Sequence, residues 1–259
     1  MSGWQRWVAA AGMALGATLS LAGRTDAQTS PPAVDPAALQ ILRSMTDHLD
    51  GLKEFTVAVQ SEIEELHSSG HRVDYDLRAR VAVKRPNKLL AARTGETMSQ
   101  SFFYDGQTLT LYNPVEKVYA TQPAPATIEG AVTLARESIG IVFPAADLVY
   151  RNAYPLLTKD LTVAAVVGKA VIDGATCDHL LFSHPGADFQ VWVEEGKRPL
   201  PRKYVVTDTN TPALLSVSAV LSEWNEAPAI NDAQFAFVPP AGTSETRFIP
   251  YGTTATTGR

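Results

Sequence analysis

Between Arg72 and Lys84 every second residue is apolar, in the order Val73, Tyr75, Leu77, Ala79, Val81 and Val83, while Arg72, Asp74, Asp76, Arg78, Arg80 and Lys84 carry charge. A period of two with one charged side belongs to a half-solvated antiparallel strand. The stretch before it repeats the pattern, with Phe55, Val57, Val59 and Ile63 set against Glu54, Thr56, Gln60, Glu62 and Glu64. His67-Ser68-Ser69-Gly70 supplies a hairpin loop between the two. Register must bring the odd-numbered faces together, because a slip of one residue would turn every apolar side chain outward. A strand from 72 to 84 reaches roughly 43 Å at about 3.3 Å per residue, against an ordinary strand of about 17–20 Å. Strands of that length twist and coil, so the sheet is expected to curl into a barrel or half-barrel.

The remaining chain fits around such a sheet. Asp35-Pro36 has the form of an N-cap followed by proline in the first turn. Leu39, Leu42, Met45 and Leu49 recur at helical spacing and Gly51 follows, which predicts an amphipathic helix over 36–50. Further strands are expected at 88–92, 100–104, 108–112 and 117–121, punctuated by Asp105-Gly106 and Asn113-Pro114. Ile128, Ala131, Val132, Ala135 and Ile139 predict a helix over 127–138, and a second short helical stretch is expected at 145–150. Strands then resume at 163–171, 179–183, 189–193, 202–207, 214–224 and 235–238. Ten or eleven antiparallel strands with two or three helices make an α+β fold, a curved half-barrel whose concave face the helices cover.

Composition narrows the function. The chain of 259 residues has one cysteine, Cys177, which excludes an intrachain disulfide framework. A formal charge of −5 argues against nucleic acid, whose phosphates need a basic face. A hydrophobic fraction of 45% is too high for a disordered chain. Residues 1–27 read as a cleaved secretion signal: Arg6 precedes an uncharged apolar run from Trp7 to Gly23, and Ala27 suits a signal peptidase. The domain organisation expected is therefore a signal at 1–27, a disordered lead-in at 28–35, one domain at 36–248 and a flexible tail at 249–259, in an exported, periplasmic, monomeric protein.

Reactive constellations are sparse. None of the five histidines has the HExxH spacing of a zinc helix, and there is neither a G-x-S-x-G elbow nor a phosphate-binding glycine loop. Cys177 and His179 share a strand face, but a nucleophile also needs a third, orienting group. Glu62, Glu64, Asp74 and Asp76 alternate with arginines on the solvent side, as surface ion pairs do. No catalytic residue, no metal site and no cofactor is assigned, and the chain reads as non-enzymatic.

Several motifs carry a resemblance. Val83-Lys84-Arg85-Pro86-Asn87-Lys88-Leu89 followed by Tyr104-Asp105-Gly106-Gln107-Thr108-Leu109 is similar to the turns of the LolA-type periplasmic lipoprotein carriers. Gly174-Ala175-Thr176-Cys177-Asp178-His179-Leu180, Phe189-Gln190-Val191-Trp192-Val193-Glu194, Arg198-Pro199-Leu200-Pro201-Arg202-Lys203 and Phe235-Ala236-Phe237-Val238-Pro239-Pro240-Ala241-Gly242 resemble a related branch, the DUF2092 family of predicted periplasmic proteins. The likeness runs over about residues 36–248. It implies a half-barrel enclosing an apolar cavity, in which carriers hold lipoprotein acyl chains and other relatives read hydrophobic or peptide signals.

A curled sheet with few short helices has more concave apolar area than those helices fill, and such a hollow is a default site for an apolar ligand. Its expected lining is Phe55, Val57, Val59, Tyr75, Leu77, Val81, Leu215 and Val217, with Leu42, Met45, Ile128 and Val132 as a lid. The same side chains would serve equally well as ordinary core. Two readings stand: a binder of a lipid or lipoprotein acyl chain, and an envelope sensor or interaction module that docks on a membrane protein or regulator.

Overall fold

The computed structural model describes residues 33–248, Thr97 and Val142 excepted. The expected signal peptide at 1–27 and tail at 249–259 lie outside the described residues. The long alternating segments form strands β1 (Glu54–Leu66) and β2 (Arg72–Lys84), paired without interruption from Glu54↔Lys84 to Leu66↔Arg72. That register sets Phe55 opposite Val83, Val57 opposite Val81 and Val59 opposite Ala79, so the odd faces coincide.

The chain continues as a meander through β3 (Lys88–Gly95), β4 (Ser99–Tyr104), β5 (Thr108–Asn113) and β6 (Val118–Pro123). After the helical region a second meander follows: β7 (Val163–Ile172), β8 (Ala175–His184), β9 (Ala187–Glu194), β10 (Pro201–Asp208) and β11 (Ser216–Asn225). β11 pairs antiparallel with β1, so the two meanders join along the first long strand. With the short β12 (Ser244–Glu245), which runs parallel to β6, they make one open, curved sheet of 12 strands in the order β12-β6-β5-β4-β3-β2-β1-β11-β10-β9-β8-β7.

Helices gather on one face. α1 (Pro36–Gly51) begins at Asp35, whose carboxylate accepts from the Ala37 N–H at 2.8 Å, and buries Ala38, Leu42, Met45 and Leu49. It packs against β7, β8 and β9. Just before it, Ala33 and Asp35 bond to the backbone of Ala164 on β7, so the lead-in expected to be loose over 28–35 is pinned at its last three residues. The helix expected over 127–138 is α2 (Ile128–Leu134) followed by a wider π-turn at Ala135–Ile139. A further short helix, α3 (Ala153–Thr158), has no periodic signal in the sequence.

The strand expected at 235–238 does not form. Asp232–Phe235 is a 3-10 turn, and the chain after it straps across the outer face of the sheet. Phe237 inserts among Phe103, Tyr112 and Tyr119, with ring centroids 5.2, 5.2 and 5.0 Å away. Pro239 and Pro240 cannot donate to a ladder, so side-chain packing holds this stretch in place of strand pairing. Asp232 anchors the strap through Lys84 at 2.6 Å and Lys88 at 3.7 Å.

The core between helices and sheet includes Phe182, fully buried and stacked on Phe189 with centroids 4.7 Å apart. Phe182→Ala is expected to lower unfolding free energy by about 3–5 kcal/mol. Arg78→Ala, on the exposed outer face of β2, should stay within about 0.5 kcal/mol of the parent. Urea titration of both variants checks this; equal losses would contradict the assignment of faces.

Candidate functional site

The concave face is not lined by sheet and helices alone. The π-turn stops at Gly140, whose φ of 75° lies in the left-handed region that glycine adopts without steric cost. Ile141 and residues 143–149 enter the concavity as a plug, which includes a 3-10 turn at Ala146–Val149. Ile141 and Leu148 are buried, and Phe143 meets Phe102 edge-on with centroids 4.9 Å apart. The plug ends at Tyr150, and beyond it Asn152, also left-handed with φ 54°, donates its N–H to the Asp50 carboxylate at 2.9 and 3.0 Å. Between these two ends Ala145 is itself left-handed, with φ 60°.

The plug divides the hollow. One recess lies against β1, β2 and β3 and is lined by Val57, Val59, Leu77, Ala79, Val81, Leu89, Ala91 and Leu221, with Val132, Phe143 and Leu148 opposite. Its side-chain polar groups are few, chiefly Ser61 and Arg93, and the centre of a water molecule can occupy about 60 Å³ of it. A second recess, about 180 Å³ by the same measure, lies against Tyr204, Val206, Val217 and Ala219 on β10 and β11. It shares Val132 and Phe143–Ala146 with the first. The second also shares Arg136, Asp147, Tyr204 and Val206 with an outer crevice of about 480 Å³ that reaches α3 and His184.

Of the residues expected to line a cavity, Val57, Val59, Leu77 and Val81 face the first recess and Val217 the second. Phe55 is wholly buried and packs its ring on Trp224, 5.5 Å between centroids, behind the recess wall that Trp224 helps to line. Tyr75 and Leu215 are half-buried and line neither recess. Of the expected lid, Val132 lines both recesses, whereas Leu42, Met45 and Ile128 are fully buried core residues. Sequence reading missed Arg93, Phe143, Arg136 and Asp147. Gly140 and Pro144 were the available signals, since both interrupt a helical pattern.

Burial shapes the charges here. Arg93 donates through Nε and Nη2 to the Gln100 side-chain oxygen, and desolvation lowers the pKa of its guanidinium. Burial pushes the Asp147 carboxyl up, opposed by Arg136. The Tyr104 phenol, which donates to the Pro125 carbonyl, is pushed up to about 12, first by burial and then by Asp105 and Glu129. Tyr150 is buried, and although the Thr133 side chain lies near it, its hydroxyl finds no partner with hydrogen-bond geometry among the described residues.

Cys177 and His179 are engaged separately. The buried thiol contacts the Ala175 carbonyl at 3.4 Å and burial raises its pKa, which disfavours the thiolate. His179 stacks on Trp192 at 4.0 Å and 10°, with Nε2 2.9 Å from the Gln190 oxygen. Among the described residues no group of three His, Cys, Asp or Glu side chains is placed to share a metal ion.

The family model described as "Predicted periplasmic protein (DUF2092)" matches residues 38–249. The chain belongs to the DUF2092 family. No curated protein matches its sequence. Among solved structures it is similar to an uncharacterised conserved protein of Thermus thermophilus, with 12% identity, a TM-score of 0.48, and coverage of 82% of this chain and 99% of that one. Lipoprotein LppX of Mycobacterium tuberculosis gives 16% identity and a TM-score of 0.39 over 76% of this chain and 100% of its own. A LolA superfamily protein of Nitrosomonas europaea gives 13% and 0.40 over 77% and 97%.

The Asp147 carboxyl makes a pH test available. An acid whose native value lies above the unfolded one, near 3.8, contributes stability below that value and loses it as pH rises through the native value. Asp147→Asn removes the charge while keeping the shape. Its thermal midpoint relative to the parent is expected to climb as the pH rises above about 4, and an unchanging difference would contradict the buried placement.

Proposed function

We propose that this chain is a non-enzymatic periplasmic binding protein that holds a lipid or a lipoprotein acyl chain in the hollow of its half-barrel, for carriage across the periplasm. The observation that supports this most directly is the first recess, a carbon-lined space closed mainly by one irregular segment, with Val132 of α2 beside it. As it stands, about 60 Å³ holds no long chain. A long chain entering this first recess must therefore displace the plug.

The magnitudes of that exchange are comparable. Burying a dodecyl chain gains about 9 kcal/mol at ~0.8 kcal/mol per CH₂, before ordering costs. Exposing Ile141, Phe143 and Leu148 costs about 5–9 kcal/mol. Releasing Ala145 from its left-handed conformation recovers about 1–2 kcal/mol. Gly140 and Asn152, left-handed at either side, are the positions about which the segment would turn.

A second reading, an envelope interaction module, draws on β7. This terminal strand is bonded on its outer side only at Ala164 among the described residues, and it presents Val167 and Val171 at 54% and 68% exposure. Such an edge suits addition of a strand from a partner.

Native mass spectrometry of protein recovered from the periplasm separates the two. The parent is expected to carry a hydrophobic adduct, and Ala79→Leu, which fills the first recess, should lose it at unchanged secondary structure. A parent free of adduct, unable to bind a lauroyl probe yet forming a stable complex with a membrane-protein ectodomain, would replace the carrier reading with the second.

A further inference from the structure

The two recesses and the outer crevice differ in chemistry along one direction. The first is almost wholly carbon, the second adds Arg136 and Asp147 to Tyr204, Val206 and Val217, and the crevice beyond adds Tyr150, Lys159 and His184. This is the profile of a site for a molecule with an oily tail and a polar end.

Three features bear on the sign of that end. The Tyr150 hydroxyl is buried near the Thr133 side chain and has no partner with hydrogen-bond geometry among the described residues, a placement that a ligand acceptor would relieve. Arg136 and Lys159 are exposed and form no salt bridge among the described residues, although Asp147 attracts Arg136 through space. Against them stand Asp160, which is exposed, Asp147, whose carboxyl burial pushes up and Arg136 pulls down, and Glu129, whose charge also reaches the Tyr150 hydroxyl. Arg136, Lys159 and the Tyr150 hydroxyl set three donors at this mouth, on a chain whose overall charge is −5. The apolar wall continues outward through Leu157 and Phe189 to Leu156, which is 49% exposed at the rim.

Resting on the carrier reading above, we infer that the crevice between the π-turn, α3 and β9–β10 is a head-group site, where Arg136, Tyr150 and Lys159 receive the anionic end of a single-chain amphiphile whose tail enters the second recess. A carboxylate and a phosphate monoester share the required chemistry. Tyr150 donates its O–H and Arg136 its N–H groups to the head oxygens, and charge-assisted bonds of this kind are about twice as strong as neutral ones.

Calorimetric titration of the whole chain with dodecanoate, dodecyl phosphate, dodecanol and dodecyltrimethylammonium tests this. At least one anion is expected to bind about tenfold more tightly than dodecanol, and the tighter anion identifies the head. The cation should bind most weakly. Arg136→Gln is expected to bring the ratio of anion to alcohol affinity within about twofold of unity. Tyr150→Phe should lower that ratio about threefold while raising the thermal midpoint of the ligand-free protein, because a buried hydroxyl without a partner is removed. Equal affinity for all four probes would overturn the head-group site and leave the carrier reading standing. An Arg136→Gln variant that weakens anion and alcohol alike, keeping their ratio, would also overturn it. Failure of every probe to bind would overturn both.

Discussion

The unbroken ladder between β1 and β2 is the constraint on which the molecule depends. It aligns two long apolar faces, and β1 offers its other edge to β11, so one strand carries both meanders. Because side chains alternate strictly across a strand, this single register sends Val57, Val59, Leu77 and Val81 to the same side. Twist accumulated over such lengths bends the sheet toward that side. The hollow is therefore a consequence of strand length, and its carbon lining a consequence of register.

What covers the hollow is uneven. α1 lies along β7, β8 and β9, where Leu42 and Met45 meet a well-filled core. A helix is a cylinder about 10–12 Å across and leaves gaps on a saddle-shaped surface. Over the rest of the concavity an irregular segment does the filling, contributing Phe143 and Leu148. Irregular backbone carries polar groups that helices satisfy internally. That is a physical reason for the polar groups Arg136, Asp147 and Tyr150 to gather on the plug side, while the recess against β1–β3 is lined mostly by carbon. The gradient from carbon to charge follows from covering a sheet with three short helices and a plug.

Much of this was legible in the sequence, for reasons that differ residue by residue. Period two placed Val57, Val59, Leu77 and Val81 on the inner face, where they line the recess. The same period marked Tyr75 and Leu215, which lie on that face but beside neither recess, because alternation reports a side of the sheet and not a depth. Helical spacing found Leu42, Met45 and Ile128 in the same limited sense, as inward-facing residues that turn out to be solid core. Arg136 and Asp147 fall inside the helical stretches expected at 127–138 and 145–150, but on polar positions that periodicity assigns no role, and Phe143 lies between them where no period runs. Phe235 and Phe237 alternate like a strand, yet Phe237 is held by Phe103, Tyr112 and Tyr119 from a distant part of the chain.

Local chemistry in the amino-acid order was sufficient for the strands, for α1 with its Asp35 cap, for the inward face of each, and hence for a curved sheet with an oily interior. Each of these depends on neighbours within a few positions, where steric and hydrophobic preferences act directly. Whether the interior would be hollow or filled, and by what, was decided only when the chain closed on itself. The plug, the outer strap and the meeting of Arg136, Asp147, Tyr150 and Tyr204 join segments far apart in the chain, and packing volume, unlike periodicity, exists only in three dimensions.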